Sequence, residues 1–334
     1  MELRRPRLEP SLCGRIIERF PLLYAEGPDA ALDRPPHVRA GSGLAFVDTP
    51  SGRRLAVVQD DALFVALVDV GSRSVCSVTL PAGEGGSRQF DDVRGNKKHK
   101  LDLEALLACE LDGAPALLAV GSGSLSPREV MVSVRSFGEA PDVRVHPLPA
   151  LYARLHADKR FSGSELNLEG AVLLGDRLRL FQRGNGAPRE GLVPVDATGE
   201  LSWPALLAHL EDPASPPPAL EGVTRWALGD VDGVPVTFTD AAAGPAGAVL
   251  YLAVAERSPS ATEDGEVVGA ALGVMAKDGS ARQGPLLDEE GAPLRAKPEG
   301  LALDPDEPGG AWVVLDRDDP ERAAELCRVE LSGL

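Results

Sequence analysis

The stretch LEGAVLLGDRLRLFQRGNG, residues 168–186, contains two apolar runs on either side of a Gly175–Asp176 turn and ends in a polar cluster. Apolar runs of this length, separated by a turn signal, predict two consecutive antiparallel strands. Glu169 stands near the start of the first run, where a buried strand surrounds its carboxylate with apolar side chains. Burying an unpaired carboxylate is costly, so a charged residue here indicates a role in the fold or in a site.

The same form recurs along the chain. Each copy begins with a small or acidic residue, passes through an apolar run, a turn and a second apolar run, and ends in a polar cluster; the copies span residues 42–61, 103–124, 168–186, 239–257 and 298–319. Aligned at their first polar position, they begin at Ser42, Glu104, Glu169, Asp240 and Glu299, a period of about 65 residues. Self-similarity at a fixed period is the signature of a repeat architecture.

A period this long holds about four antiparallel strands, the content of a β-propeller blade. The sequence therefore predicts an all-β protein, a β-propeller with five blades of four antiparallel strands, forming a single domain over residues 1–334. A sixth, short blade between Glu169 and Asp240 is the alternative count, and a two-domain β-sandwich is the alternative fold. The apolar segment at residues 14–24 precedes the first repeat, and the last repeat is one strand short. Pairing of the two would close the ring and protect its sheet edges.

Three segments carry helix signals instead. They are residues 148–160, residues 202–213 with Ser202 as the expected cap, and residues 318–327 with Asp319 as the expected cap. In each, a proline lies at or near the first helical turn, where it is well tolerated.

The composition excludes two classes of partner. A net charge of −17 repels nucleic-acid phosphates and anionic membrane surfaces. No apolar run reaches the roughly 18–20 residues that span a bilayer, and residues 1–20 lack the apolar core of a secretory signal. We therefore expect a cytoplasmic protein without nucleic-acid or membrane partners. The cysteines lie far apart without CxxC spacing, which favours free thiols over disulfides or a zinc site: Cys13, Cys76, Cys109 and Cys327.

Propeller geometry predicts where the recurring polar residues meet. The innermost strand of each blade lines the central channel, and the turn that leaves the second strand returns to the same face. The predicted set from the strand starts is Ser42, Glu104, Glu169, Asp240 and Glu299. From the ends of the second strands it is Gln59, Asp60, Asp61, Ser122, Ser124, Gln182, Arg183, Asn185, Glu256, Asp316, Asp318 and Asp319.

Carboxylates gathered around a narrow channel repel one another strongly unless a cation compensates. Oxygen ligands without nearby His or Cys pairs favour Ca²⁺ or Mg²⁺ over zinc. The predicted metal ligands, with Ca²⁺ as the expected ion, are Glu104, Glu169, Glu299, Asp316 and Asp318. The alternative is that ion pairs and water fill the channel and only hold the blades together.

Basic residues are interleaved with these acids, and beside a cation they would hold an anionic phosphate or carboxylate group. The predicted ligand-binding set is Glu104, Glu169, Glu299, Asp240, Arg128, Arg183, Lys100, Lys297 and Asn185. A small anionic ligand is the expected partner, and a protein partner remains open.

The motifs of other hydrolases do not occur in the sequence, so no catalytic residue is assigned. Residues 121–125, GSGSL, lack the GxSxG spacing of a nucleophile elbow, and the histidines show no HExxH spacing. A two-carboxylate glycosidase is disfavoured because sugar subsites usually need stacking rings, and the chain has three Trp and three Tyr.

Several segments resemble an uncharacterised family of bacterial propellers, which in turn is similar to the proteins named for an esterase-like activity of phytase. The resemblance covers Ser42 to Leu331 and rests on HKLDLEALLA, GSGSLSPRE, LNLEGAVLLGDRLRLFQRGNG, AERSPSATEDGEVVGAALGV and KPEGLALDPDEPGGAWVVLDRDDP. It implies a soluble propeller with a calcium-assisted phosphoester or carboxyl ester hydrolase site on one face. The positions that it marks as metal or ligand groups are Glu104, Glu169, Glu299, Asp316 and Asp318.

The chain also departs from the propeller phytases, which are generally exported and six-bladed, because it shows five clear repeats and no export signal. Two functions therefore remain open. One is a metal-dependent hydrolase, and the other is a non-catalytic scaffold that binds a ligand or a protein.

Overall fold

The computed structural model describes residues 3–138, 140–257 and 265–334, and these residues are folded mostly into β-strands. Residues 258–264, part of one segment that carries the resemblance, lie outside the described ranges. The α-helices of the described residues are α1 (Pro149–Ala157), α2 (Lys159–Ser162) and α3 (Trp203–Glu211). Two of the predicted helices, α1 and α3, are thereby confirmed. In the described ranges, no helix has the length and apolarity needed to cross a membrane.

Two four-stranded antiparallel sheets follow each other in the first half of the chain. They come after three N-terminal strands, β1 (Leu3–Arg4), β2 (Arg7–Leu8) and β3 (Cys13–Pro21). The first sheet contains β4 (Gly41–Thr49), β5 (Gly52–Gln59), β6 (Phe64–Asp69) and β7 (Ser74–Thr79). The second contains β8 (Leu103–Leu111), β9 (Ala114–Gly121), β10 (Val130–Arg135) and β11 (Asp142–Pro147).

The second half of the chain forms two further sheets. The third contains β12 (Leu168–Leu174), β13 (Arg177–Gln182), β14 (Asp196–Ser202) and β15 (Glu221–Trp226), with β1 parallel to β15. The fourth contains β16 (Asp230–Val231), β17 (Val234–Ala243), β18 (Val249–Glu256), β19 (Val267–Met275), β20 (Ala281–Leu287), β21 (Lys297–Leu303), β22 (Gly310–Asp316) and β23 (Glu325–Ser332), together with β2 and β3. Its antiparallel halves, β16–β20 and β21–β23 with β3, are joined by parallel pairing of β20 with β3.

The innermost strands form a closed ring. β4, β8, β12, β17 and β21 contact one another in chain order, and β21 contacts β4. Their backbones approach closely: a Cβ atom on Gly43 would lie 2.6 Å from the backbone nitrogen of Leu106, and one on Gly300 would lie 2.7 Å from the carbonyl oxygen of Ser42. Such distances admit only glycine. An all-β chain whose sheets radiate from a ring of inner strands is consistent with a β-propeller.

Hydrophobic clusters fill the spaces between neighbouring sheets. Between the third sheet and the β17–β19 strands, the ring of Phe238 meets the rings of Phe181 and Tyr251 edge to face, at centroid distances of 5.2 and 5.1 Å. This geometry is favourable for aromatic pairs and adds to the gain from burying their area. Packing of sheet against sheet therefore holds the inner strands in place.

The N-terminal strand closes the ring as the sequence predicts. β3 pairs antiparallel with β23, from Cys13 opposite Ser332 to Pro21 opposite Glu325. The predicted helix at residues 318–327 is wrong, because a turn at residues 320–322 leads directly into β23.

Contacts with the N-terminal chain explain the missing helix. The carbonyl oxygen of Pro320 lies 3.1 Å from Nε2 of His37, and the N–H of Ala324 donates to the carbonyl of Val38 at 2.9 Å. These tertiary contacts hold the segment in an extended path and outweigh its weak local helix preference.

Each inner strand carries a β-bulge, which lies near the strand start in β4, β8, β12 and β21 and in the middle of β17. Against the second strand, the register skips the residue between Leu103 and Ala105, Leu168 and Gly170, Phe238 and Asp240, and Pro298 and Gly300, and in β4 it shifts between Gly41 and Leu44. The skipped residues of the four single bulges are Glu104, Glu169, Thr239 and Glu299. Because a bulge re-aims a side chain, the repeated irregularity gives these residues a common direction.

Candidate functional site

A cavity of about 400 Å³ lies at the end of the ring where the inner strands begin. It is lined by three of the bulge residues, Glu104, Glu169 and Glu299, by the ends of second strands and by part of the loop at residues 90–100. Of the predicted binding and metal-ligand residues, those that line it are Glu104, Glu169, Glu299, Arg128, Arg183, Lys100, Lys297, Asn185, Asp316 and Asp318. The structure therefore brings these side chains together, while their role in binding stays a prediction.

Three carboxylates from three inner strands face one another in this cavity. Glu104, Glu169 and Glu299 each offer an oxygen, and the three oxygens lie within 4.8 Å of one another. Burial, and then the charges of neighbouring carboxylates, raise the pKa of Glu104 well above its usual value. Burial likewise raises the pKa of Glu169 to about 7 and that of Glu299 well above its usual range. Three acids with raised pKa values mark a place where a cation would be stabilised.

Two oxygens of this group are buried without a hydrogen-bond partner among the described residues, Oε2 of Glu169 and Oε1 of Glu299. The other oxygen of Glu169 accepts hydrogen bonds from Nδ2 of Asn167 at 2.6 Å and from Nη1 of Arg183 at 3.3 Å. A buried acceptor that has lost its hydration without replacement is unfavourable. Oε2 of Glu169 is therefore suited to a bound cation, whereas Oε1 of Glu299 already lies 3.5 Å from Nζ of Lys297 and 3.8 Å from Nη1 of Arg183.

Arg183 is the principal counter-charge of the group. Its Nη2 lies 2.6 Å from Oε2 of Glu256, and its Nη1 lies 3.3 Å from Oε1 of Glu169 and 3.8 Å from Oε1 of Glu299. Its Nε donates to Oγ1 of Thr237 at 3.2 Å. Although burial opposes the charged form, the three carboxylates raise the pKa of Arg183 and keep it charged. One guanidinium thus balances only part of the local negative charge.

A second network occupies the neighbouring wall. Nζ of Lys100 lies 2.5 Å from Oδ2 of Asp60 and 2.6 Å from Oδ1 of Asp102. Asp102 also binds Nη1 of Arg128 at 2.7 Å and accepts a hydrogen bond from the Ser122 hydroxyl. Although burial opposes its ionisation, Lys100, Arg128 and these hydrogen bonds lower the pKa of Asp102. This carboxylate is therefore charged and already has its partners.

The five predicted metal ligands separate into two parts. Among the described residues, Asp316 and Asp318 lie outside the group of mutually close oxygens, although they line the same cavity. Lys297 stands between the parts, with Nζ 3.5 Å from Oε1 of Glu299 and 3.3 Å from Oδ1 of Asp318. The structure thus groups Glu104, Glu169 and Glu299 and makes Asp318 a partner of Lys297.

Asp240 does not line the cavity, unlike the other predicted ligand-binding residues. The bulge residue of β17 is Thr239, whose hydroxyl donates to the carbonyl of Pro298 at 2.6 Å. Asp240 is the next residue, and a shift of one position in a strand turns a side chain to the other face. Aligning the repeats on Asp240 rather than Thr239 is therefore incorrect by one residue.

The remaining members of the predicted set have different environments. Gln59 and Gln182 have a structural role. Oε1 of Gln59 accepts the backbone N–H of Arg39, and Oε1 of Gln182 accepts that of Asn167, both at 2.8 Å and just before an inner strand begins. Cavity-lining members are Asp60, Asp61, Glu256 and Asp319. Those outside the lining are Ser42, Ser122 and Ser124, of which Ser122 and Ser124 hydrogen-bond within the Asp102 network.

Sequence reasoning missed six polar residues that line the cavity: Arg39, Asp91, Asp92, Lys97, Asp102 and Asn167. Asp102 and Asn167 each lie just before an inner strand and two positions before its bulge glutamate, so extending the repeat alignment by two residues would have found them. Arg39 pairs with Asp61 at 2.7 Å and Asp91 at 3.2 Å. It precedes the first repeat, and no sequence signal marks it.

Residues 96–320 match a family of unknown function, DUF6910. No curated protein sequence shows a significant match. None of these similarities shows the expected relation to phytase-like proteins.

Among solved structures the chain is similar to a mannose phosphorylase from Leishmania mexicana, with 13% identity, 95% of this chain and 89% of the other covered, and a TM-score of 0.43. It is also similar to an α-L-arabinofuranosidase from Fusarium graminearum, with 8% identity, 93% and 98% coverage, and a TM-score of 0.45. A gluconolactonase from Xanthomonas campestris shows 12% identity, 97% and 99% coverage, and a TM-score of 0.37. Likenesses this distant indicate nothing about the chemistry of this chain.

The family match, by contrast, extends over more than half of the chain and includes all three clustered glutamates. The protein therefore belongs to DUF6910, a family of unknown function.

Proposed function

We propose that this protein binds a divalent cation through Glu104, Glu169 and Glu299 and uses it to hydrolyse an ester bond. One observation carries the proposal: three buried carboxylates lie within 4.8 Å of one another, and oxygens of two of them have no hydrogen-bond partner in the described residues. An all-oxygen ligand set suits Ca²⁺. Such an ion supplies Lewis-acid polarisation of a carbonyl or phosphoryl oxygen.

The basic side chains beside the acidic group meet a second requirement of ester hydrolysis, which is stabilisation of the negative charge that develops on the substrate. Arg183 and Lys297 both lie within 4 Å of Glu299, and ion pairs with several carboxylates hold their charged groups in position. Fixed donors near a reacting group stabilise charge that develops during hydrolysis without having to reorganise. Their partner carboxylates hold them at the cavity wall.

The charge of the cavity favours a carboxyl ester over a phosphate monoester. Twelve carboxylates and six basic side chains line it. Each of the six bases already has a carboxylate within 4 Å; the pairs are Arg39–Asp61, Lys97–Asp92, Lys100–Asp102, Arg128–Asp102, Arg183–Glu256 and Lys297–Asp318. A phosphate dianion would have to displace one of these and enter a negative cavity. The small anionic ligand expected from the sequence is thus less favourable than a neutral ester.

We propose that the architecture beneath the site is a five-bladed propeller. The five inner strands contact one another cyclically, and β3 supplies the fourth strand beside β21, β22 and β23. In this arrangement the three glutamates come from the second, third and fifth blades. A site shared by several blades would exist only in the closed ring.

Metal analysis of the purified protein is the first test, followed by thermal unfolding with Ca²⁺ or a chelator. We expect one ion per chain, and a Ca²⁺-dependent rise in melting temperature that Glu169→Gln abolishes. The matched control is Glu200→Gln on β14, where the carboxylate pairs with Arg179 at 2.6 Å outside the cavity. In the same preparations, p-nitrophenyl acetate should be hydrolysed faster than p-nitrophenyl phosphate. Wild-type protein that binds no ion and hydrolyses neither substrate would contradict the proposal.

A second candidate function is a non-catalytic scaffold, and the environment of Arg183 favours it. One guanidinium joins carboxylates of three strands, Glu169 of β12, Glu256 of β18 and Glu299 of β21. Such a bridge would hold the ring together without a metal. If Glu169→Gln keeps or raises the melting temperature and calorimetry detects no Ca²⁺ binding, the scaffold is the better account.

A further inference from the structure

A second group of carboxylates beside the first has the arrangement of a cation site. Asp60, Asp102 and Glu104 offer oxygens that also lie within 4.8 Å of one another. Glu104 belongs to both groups. The two clusters are therefore adjacent and share one carboxylate.

A cation already stands in this second group. The ammonium of Lys100 lies 2.5 Å from Asp60 and 2.6 Å from Asp102, and its side chain is only 8% exposed. The contacts join the end of β5 to the start of β8, which belong to neighbouring sheets. Among the described residues, Oδ1 of Asp60 is buried without a hydrogen-bond partner, so the group keeps an unused acceptor.

We propose that Asp60, Asp102 and Glu104 form a second cation site that the ammonium of Lys100 fills, so that the cavity holds one tethered and one exchangeable cation side by side. The proposal extends the metal site proposed above, with which it shares Glu104. A tethered ammonium contributes a fixed positive charge, and by electrostatic repulsion it excludes a second divalent ion. Lys100 therefore restricts the cavity to a single metal.

The role of Lys100 follows from its charge and its length together. Removing the ammonium takes from Asp60 its cation and leaves Asp102 with Arg128 alone. Removing the methylene chain as well leaves space where the ammonium stood. A carboxylate cluster with such a space accepts a divalent ion or a small primary ammonium. Lys100→Met removes the charge and keeps most of the volume, whereas Lys100→Ala removes both.

The test compares bound Ca²⁺ in wild type, Lys100→Ala and Lys100→Met by equilibrium dialysis. We expect Lys100→Ala to bind one more ion per chain than wild type and Lys100→Met to bind no more than wild type. Ethylammonium should raise the melting temperature of Lys100→Ala at least twice as much as that of wild type. Lys97→Ala is the control, because Lys97 lines the same cavity but pairs at 3.4 Å with Asp92, which is 84% exposed.

Separate measurements test the two proposed cation sites, so the failure of one proposal can be told from the failure of the other. The number of ions bound by wild type tests the Glu104–Glu169–Glu299 site, whereas the difference between Lys100→Ala and wild type tests the Lys100 site. A folded Lys100→Ala variant without an extra ion and without a response to ethylammonium overturns the inference, whatever the wild type binds.

A measurement on the wild type covers the case in which the variants do not fold. An ammonium held between carboxylates is a poor nucleophile, so acetic anhydride should label Lys97 at least tenfold faster than Lys100. Equal labelling rates would show that Lys100 is not held in the site and would likewise overturn the inference.

Discussion

Oδ2 of Asp240 accepts the backbone N–H of Leu301 at 2.7 Å, so that a carboxylate of β17 is bonded to the neighbouring inner strand, β21. At the matching positions in β4 and β21, Gly43 and Gly300 let the backbones of adjacent inner strands approach directly. Asp240 therefore connects its strand to the neighbouring strand through a side-chain hydrogen bond. At the glycine positions the backbones of neighbouring strands approach each other directly instead. Its function is to join strands, although its sequence position suggests a ligand.

Asp240→Ala is predicted to lower the free energy of unfolding while leaving Ca²⁺ binding intact. The substitution leaves the buried N–H of Leu301 without an acceptor, which costs about 1–3 kcal/mol. Chemical unfolding measures the loss, and calorimetry measures the ion. Asp240→Asn, which retains an acceptor oxygen, is the control and should lose less. A stable Asp240→Ala protein that no longer binds Ca²⁺ would instead make Asp240 a ligand.

Arg183→Met is predicted to destabilise the protein strongly and to make it more dependent on Ca²⁺. Three buried carboxylates would lose their common partner, and breaking a buried charge pair in this way costs about 3–5 kcal/mol. Added Ca²⁺ should recover part of the loss, which urea unfolding with and without the ion would show. Arg179→Met, which breaks the partly exposed pair with Glu200, should change stability by only about 0–1 kcal/mol. Equal effects of the two substitutions would contradict the central role of Arg183.

Because Asp196 is buried, we predict that the free energy of unfolding falls as the pH rises from about 4 to 7. Burial raises the pKa of Asp196 to about 7, although its Oδ1 accepts the backbone N–H groups of Gly184 and Phe238 at 3.2 and 3.0 Å. In this window the unfolded chain releases the proton that the folded chain retains, so unfolding becomes easier by at most about 1.4 kcal/mol per pH unit. Above the folded pKa the contribution levels off.

Asp196→Asn should therefore reduce the difference between the free energies of unfolding at pH 5 and pH 8. Asp158→Asn is the control: the hydrogen bond from Arg160 lowers the pKa of Asp158, so this group titrates below the window. An unchanged difference in Asp196→Asn would mean that other buried acids account for the pH dependence.

Deletion of residues 1–21 is predicted to open the ring. β23 would lose its antiparallel partner along its length, and buried Ile16 and Phe20 would leave the core. The exposed strand edge favours association, so size-exclusion chromatography should show aggregates. Deletion of residues 1–8 removes only the two-residue strands β1 and β2 and should leave a monodisperse, folded protein. A monodisperse protein after the longer deletion would show that β3 is dispensable.

The three clustered glutamates could be predicted because their recurrence reflects one structural device. Each occupies the bulge of an inner strand and is the second or third residue of that strand. The β17 bulge could not be placed in this way. Its bulge residue is Thr239, and Asp240 follows it in the chain. The sequence alignment selects the charged residue, whereas the strand register places Thr239 in the bulge.

The remaining differences arise where distant parts of the chain meet. Residues 318–327 have local helix signals, but their contacts with His37 and Val38, almost 290 residues away in sequence, hold them extended. Arg39 reaches the cavity for a similar reason, since Asp61 and Asp91, its partners, come from later segments. Periodicity reports on elements that repeat and gives no information about contacts that occur once.

The pairing of β3 with β23 also bears on biosynthesis. The ribosome synthesises β3, residues 13–21, long before its partner β23, residues 325–332. Residues 13–21 must therefore wait until residues 325–332 have been translated before they can pair. Ring closure, and with it the assembly of a cavity whose walls come from several sheets, consequently has to follow the synthesis of every strand in the ring.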